Sequence, residues 1–320
     1  SAAGYGPSDH WLTSGEHPDY PAGRYLVGVG FGDTMRDADN MAMGEVAKYF
    51  HSEVVTVTRD EQEYSQTSEG DETRVVEKFE SRTFARVRGR AQVDGIEIKD
   101  RLVVNGQHHS LAVLDRVAAS RRLAKELAAL QMDMEGYELM SREDPDPGNK
   151  VRHLARALYL GARGDELARR LAVLDRKVRP ALADRDGMAA RLHNLLKEHY
   201  PVVVSSSSPD LDGQVKEELR RRGLVVVDEA EGAVVLSAAL KMDERPAEKG
   251  VMLFYEVSLS ATRGSEVLAQ LNWAERLSHP DPKAARMKAM YEIRDRAVGP
   301  FADDLSKAIL GDYSSAEESQ

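Results

Sequence analysis

Apolar residues along this chain recur at two spacings, every second position and every third or fourth, and the changes between them mark its elements. Arg24-Tyr25-Leu26-Val27-Gly28-Val29-Gly30 is a β-prone run that stops at glycines. A helix is predicted next. Asp33 or Thr34 can cap it, and Ala38, Met41, Ala42, Val46, Tyr49 and Phe50 recur at helical spacing. Val54 to Thr58 predicts a strand extending toward Tyr64, and Glu69-Gly70-Asp71 a turn. From Thr73 to Val87 the apolar positions suit a strand on one reading and a helix on another, with an extended hairpin arm preferred. Gly95 to Val104, the pair Asn105-Gly106 and His108 to Leu114 predict a β-hairpin, because Asn-Gly suits a turn with two positive φ angles.

The helical period then takes over. Leu123, Leu127, Leu130, Met134 and Tyr137 form one apolar stripe, which Asp144-Pro145-Asp146-Pro147-Gly148 interrupts. Three further helices are predicted, around Val151–Leu158, Leu167–Val178 and Met188–Leu196, with breaks at Gly161–Gly164 and Pro180–Gly187. After Pro201 come a strand at Val202–Val204, a serine loop to Ser208 and a helix from Leu211 to Arg222. Strands follow at Leu224–Val227 and Ala233–Leu240. Phe254–Thr262 and Glu266–Arg276 alternate around Arg263-Gly264 as a hairpin, and a last helix runs through Met290, Ile293, Ala297, Phe301, Leu305 and Ile309 with a kink at Pro300.

The fold class expected is α/β of the α+β kind: two small sheet-and-helix domains joined by an α-helical segment. The expected boundaries are a flexible tether over 1–22, a first domain over 23–120, helices over 121–200, a second domain over 201–312 and a tail over 313–320. Trp11 and Tyr20 docking on the body is the alternative for the leader.

Composition narrows the function classes. The 320 residues are 42% hydrophobic and 31% charged, enough to bury real cores, and 44 Lys plus Arg against 54 Asp plus Glu give a net charge of -10. That balance argues against nucleic-acid and anionic-membrane partners. The longest apolar run, Ala233 to Leu240, falls well short of the ~20 residues that span a bilayer, so no transmembrane segment is expected. Cysteine is absent, which excludes disulfides, thiol nucleophiles, zinc–thiolate sites and iron–sulfur clusters within these residues. The chain opens at Ser1 rather than Met, consistent with removal of a tag or targeting segment.

Each candidate chemistry meets a simpler reading. Gly28-Val29-Gly30-Phe31-Gly32-Asp33 joins a strand to a helix, but the dinucleotide fingerprint needs glycine where Asp33 stands, and that charge would repel phosphate. His108 and His109 are adjacent in a strand and point to opposite faces, while His153, His193 and His199 lack partners at ligand spacing. Asp33, Asp37 and Asp39 suit a helix start without calcium. Ser205 to Ser208 has no nucleophile elbow around it. Arg220-Arg221-Arg222 reads as a solvated helix end. No catalytic, cofactor-binding or metal residue is assigned, and no cofactor is expected.

Two stretches resemble known families. Residues 24 to about 125 resemble the Lpp-twenty lipoprotein domain, related to the N-terminal domain of the flagellar H-ring protein FlgT. The resemblance is carried by Tyr25-Leu26-Val27-Gly28-Val29-Gly30, an alanine-rich helix through Ala38, Ala42 and Ala47, then Val54-Val55-Thr56-Val57 and Gly95-Ile96-Glu97-Ile98. His109-Ser110-Leu111-Ala112-Val113-Leu114-Asp115-Arg116, leading into a helix, completes it. Residues 201 to 310 resemble TolB N-terminal-like domains through the order of their elements, with Leu224-Val225-Val226-Val227 and Ala233-Val234-Val235-Leu236-Ser237 as strands. The resemblance implies a periplasmic lipoprotein tethered to the outer membrane through an acylated cysteine preceding Ser1. It implies a non-enzymatic structural or assembly component that binds envelope proteins and itself, as in a flagellar-motor or outer-membrane complex. The alternative is a regulatory lipoprotein that binds and activates a peptidoglycan-synthesis enzyme.

Overall fold

A computed structural model describes residues 10–68, 93–175, 177 and 185–313. The fold is mixed α+β. In chain order the elements are α1 (Trp11–Ser14), β1 (Tyr25–Gly32), α2 (Met35–Ser68), β2 (Ile96–Val104), β3 (Gln107–Asp115), α3 (Arg116–Glu143), α4 (Pro147–Leu174) and α5 (Asp186–His199). Then come β4 (Val202–Ser206), α6 (Pro209–Arg221), β5 (Val226–Val227), β6 (Val234–Ala247), β7 (Gly250–Arg263), β8 (Glu266–His279), α7 (Pro282–Ile293), a π-helical turn (Arg294–Val298) and α8 (Gly299–Leu310). The described residues divide into two compact units, one of 10–68, 93–132, 163–175 and 177, the other of 133–162 and 185–313. The division falls inside α3 and α4. The helices expected as a segment of their own over 121–200 are therefore shared between the units.

The first unit holds a three-stranded antiparallel sheet in the order β1-β3-β2. The expected Asn105-Gly106 turn is present, with φ of 52° and 82°, and fixes the β2–β3 hairpin. Alternation gives each strand two faces. Leu26, Ala112 and Leu114 lie on one face and pack with Ala42, Val46, Phe50 and Val54 of α2. Glycines bring that helix close: a Cβ at Gly28 would sit 2.5 Å from the Ala42 carbonyl oxygen, and one at Gly30 would strike the Ala38 carbonyl and the Ala42 nitrogen. The Gly-x-Gly run is thus a bed for a helix.

The other face, Leu111 and Val113 with Tyr25, Val27 and Val29, is covered by Trp11, which is 1% exposed, and by Tyr20. The Trp11 indole donates to Asp100 Oδ2 at 3.2 Å, and the rings of Tyr20 and Tyr25 meet edge to face. The flexible leader expected over 1–22 does not hold for residues 10–22, because burying a tryptophan on an otherwise bare sheet face outweighs the entropy of ordering a short strap. The strand expected at Val54–Thr58 is also overturned: α2 continues to Ser68. Val54 falls four residues after Phe50 and on the same buried stripe, so tertiary packing overrides the β-branched run. The turn at Glu69 and the arm over 73–87 lie outside the described residues.

In the second unit the sheet order is β5-β4-β6-β7-β8, with β4 parallel to both neighbours and the rest antiparallel. Ser208 caps α6, and Asp281 caps α7 by accepting from the Lys283 and Ala284 N–H groups. The inner residues Leu236, Ala238, Leu253, Val257 and Leu259 are buried, as are Leu211, Val215 and Leu219 of α6 and Phe301, Leu305 and Ile309 of α8. The kink expected at Pro300 takes the form of a π-turn, in which the Gly299 N–H reaches the Arg294 carbonyl. Widening the helix there makes room for a proline ring. The break expected at Gly161–Gly164 is absent: α4 runs straight through both glycines. Arg185 donates to the Gly161 carbonyl at 2.6 Å, and its side chain occupies the space a Cβ would need.

Candidate functional site

Among the described residues both sheets are open, so each has two edge strands whose outward N–H and C=O groups can accept another strand. Three of the four edges are blunted. β2 carries Glu97, Lys99, Asp100 and Arg101 and a bulge between Ile98 and Asp100, where Lys99 is the extra residue. β5 is two residues long. β8 has a bulge at Leu268, which has no partner between the Ala261–Ala269 and Thr262–Val267 pairs, and exposes Gln270, Asn272, Glu275 and Arg276. The fourth edge, β1, is eight residues of Tyr, Leu, Val, Phe and Gly with neither charge nor bulge.

The hydrogen bonds set which way β1 presents its backbone. The Arg116 N–H donates to the Arg24 carbonyl at 2.9 Å, so even-numbered residues bond toward β3 and odd-numbered ones face the free edge. The Tyr25 N–H, facing outward, donates to the Pro21 carbonyl at 2.9 Å, and the Phe31 N–H lies 3.5 Å from Met41 Sδ. Between them, Val27 and Val29 direct their main-chain groups outward with no strand opposite among the described residues.

Exposed apolar side chains gather along that edge. Phe31 is 51% exposed and Tyr49 47%, with Met35 and Met41 also exposed. Met41 and Tyr49 share the helical spacing of Ala38, Ala42, Val46 and Phe50, but those four fill the buried stripe of α2 and Met41 and Tyr49 lie one position off it. At the Tyr25 end the edge opens into a cleft of about 830 Å³ lined by His17, Tyr20, Tyr25, Val27, Tyr49 and Arg116 among others. Arg116 donates through Nη1 to the Val173 carbonyl at 3.0 Å, while its buried Nε has no partner.

The residues singled out from sequence are otherwise occupied. Asp37 and Thr34 cap α2, Asp33 is exposed, and Asp39 takes Arg101 in both oxygens at 3.0 Å and Ser110 Oγ at 2.6 Å. Those bonds, the arginine's foremost, hold the Asp39 carboxyl below its ordinary value. His108 and His109 sit in β3, with the ring of His109 6.5 Å from that of Phe31. Ser206 bonds locally to the Ser208 carbonyl, Ser207 Oγ accepts from the Leu240 N–H at 3.1 Å, and Ser208 serves as a cap. Among the described residues no three His, Asp or Glu side chains gather as a metal site.

Arg222 corrects the reading of a solvated helix end. It reaches Glu218 Oε2 at 2.7 Å, Asp303 at 2.8 Å and the Gly299 carbonyl at 3.1 Å, tying the end of α6 to α8. Burial would raise the pKa of Glu218, but bonds from Arg222 and Arg294 outweigh it and hold the carboxyl low. This cluster is internally satisfied and structural. Tyr255 likewise donates to Glu292, and burial followed by that neighbour pushes its hydroxyl pKa up.

No family model matches the chain, so neither resemblance read from its sequence gains a family match. No curated protein matches it either. Among solved structures it is similar to a secreted protein of Helicobacter pylori, at 13% identity and a TM-score of 0.41 over 89% of this chain and 98% of that one. It is similar over a shorter span to the rare lipoprotein B from Shewanella oneidensis (16% identity, TM-score 0.25, 37% of this chain and 98% of that one). A minor lipoprotein from Acinetobacter baumannii stands alongside (16%, 0.24, 35% and 89%). Likeness at this level carries no argument about function. Among the described residues no helix is long and apolar enough to cross a membrane.

Proposed function

We propose that this chain is a non-enzymatic component of a bacterial cell envelope, a lipoprotein-type module that holds other envelope proteins by strand addition. The observation that supports an interaction role is β1, an edge with no charge and no bulge, beside four exposed apolar side chains. Open edges of this kind bind through main-chain hydrogen bonds and draw selectivity from flanking pockets. The compartment rests on the resemblance of residues 24 to about 125 to Lpp-twenty domains.

The experiment is crosslinking of the native protein in its own cells, with fractionation and identification of attached partners by mass spectrometry. The expected result is recovery with the outer-membrane fraction and crosslinks to envelope proteins or to a second copy. Recovery in the cytosol with cytosolic partners alone would end the proposal.

A further inference from the structure

We infer that the edge of β1 left open among the described residues takes an extended apolar segment of a partner protein as a fourth strand, with one acidic residue at the Tyr25 end of that segment. This deepens the interaction role proposed above and rests on it. The main chain supplies the first requirement. Val27 and Val29 point their N–H and C=O groups away from β3, two residues apart, which is the repeat that an added strand matches. The Pro21 carbonyl already holds the Tyr25 N–H and the Met41 sulfur faces that of Phe31, so the open stretch is bounded at both ends.

The flanks specify the side chains. A strand laid against Val27 and Val29 alternates between the two faces of the sheet. On one face it would meet Tyr20 and Tyr25 of the strap side; on the other it would meet Met41 and Tyr49 of α2, because Gly28 and Gly30 carry no side chain of their own. Both flanks present apolar side chains beside the open stretch, so successive residues of the segment are apolar, unlike the alternation of a half-solvated strand. Glu45, between Met41 and Tyr49 on the helix, is paired with Lys48 at 3.7 Å.

Charge complementarity supplies the end. The cleft at Tyr25 is lined by Arg116, whose guanidinium donates through Nη1 to the Val173 carbonyl, together with His10 and His17. The nearby carboxylate of Asp115 is engaged by the N–H groups of Val117 and Ala118 and by Arg24, leaving exposed Glu16 as the acidic side chain in the lining. An acidic side chain of the incoming segment would answer Arg116.

The test uses the full chain and a fluorescein-labelled nonapeptide, Ser-Gly-Asp-Val-Phe-Val-Leu-Ser-Gly. Two further versions carry N-methyl groups on alternate residues, one on each of the two sets. Only one set of N–H groups can face β1, so one methylated version should lose binding at least about tenfold while the other retains it. Tyr49→Ser should weaken binding about fivefold with Trp11 fluorescence unchanged, and replacing the peptide's Asp with Lys should weaken it similarly. Four results would each overturn the inference: no saturation up to about 1 mM, equal binding of both methylated versions, amide shifts confined to β8, or a β1-paired dimer in sedimentation. The last would name a second copy as the occupant. If the peptide fails while crosslinking in cells still recovers envelope partners, the site falls and the envelope role stands.

Discussion

The three-stranded sheet and the five-stranded sheet both lie under helices, yet they treat their remaining surfaces in opposite ways. In the first, the helix sits directly on glycine backbone, the second face is sealed by Trp11, and one edge is left apolar and unblunted. In the second, Leu253, Val257 and Leu259 face the buried side while Ser237, Ala239, Gln270 and Asn272 face solvent, and the long edge is bulged and polar. A sheet with one face in water can leave polar residues to keep partners off. One sealed on both faces has only its edges left to offer. The difference is the reason the proposed interaction surface lies on the smaller sheet, although β8 is the longer strand.

The largest effect that separates the two units is expected at Glu218, a carboxylate held by two arginines. Glu218→Ala leaves Arg222 and Arg294 short of their counter-charge and should cost the second unit about 3–5 kcal/mol, read by urea unfolding followed at Trp273. The corresponding blow to the first unit is Trp11→Ala, which uncovers Leu111 and Val113 and should cost about 3 kcal/mol. Hydrogen exchange should rise across β3 and stay unchanged across β7; equal rises in both would deny the units their independence. Gly30→Ala is smaller, about 1–3 kcal/mol, because the added methyl must lift α2 from Ala38 and Ala42. Tyr49→Ser should change stability by no more than about 0.5 kcal/mol while reducing peptide binding.

Acid should loosen both units by the same mechanism. Asp39 and Glu218 each have a lowered pKa in the fold, so near and below their ordinary values of 3.8 and 4.5 the unfolded chain binds more protons. Their stabilisation is complete above those values and is lost as pH falls through the lowered ones. Urea midpoints between about pH 6 and pH 3 should fall in both units. Asp39→Asn should flatten the fall at Trp11 alone, and Glu218→Gln at Trp273 alone.

Much of the fold was legible where a residue's local duty and its tertiary one coincide. Asn105-Gly106 needs only its own φ angles to specify the β2–β3 hairpin. The alternation from Phe254 to Arg276 and the stripe from Leu123 to Tyr137 likewise state their elements directly. Val54–Thr58 and Gly161–Gly164 misled because their local preference yields to packing, by Phe50 and Val46 in one case and Arg185 in the other. The candidate site was harder to see. Edges follow from strand order, which no local pattern states, and a bulge such as that at Lys99 becomes visible only once its partner strand is known. One signal was present: Met41 and Tyr49 are apolar beside an already sufficient stripe of Ala38, Ala42, Val46 and Phe50. Trp11 docking on the body stood only as the alternative to a flexible leader, because a single aromatic in a Pro- and Gly-rich stretch has no periodicity to decide between them.

The most direct test places a photo-crosslinking amino acid in the full chain at Tyr49, beside β1, or at Gln270, on β8, and exposes living cells to light. Adducts to envelope proteins from position 49 and none from position 270 are predicted. Adducts from position 270 with none from position 49 would contradict the account.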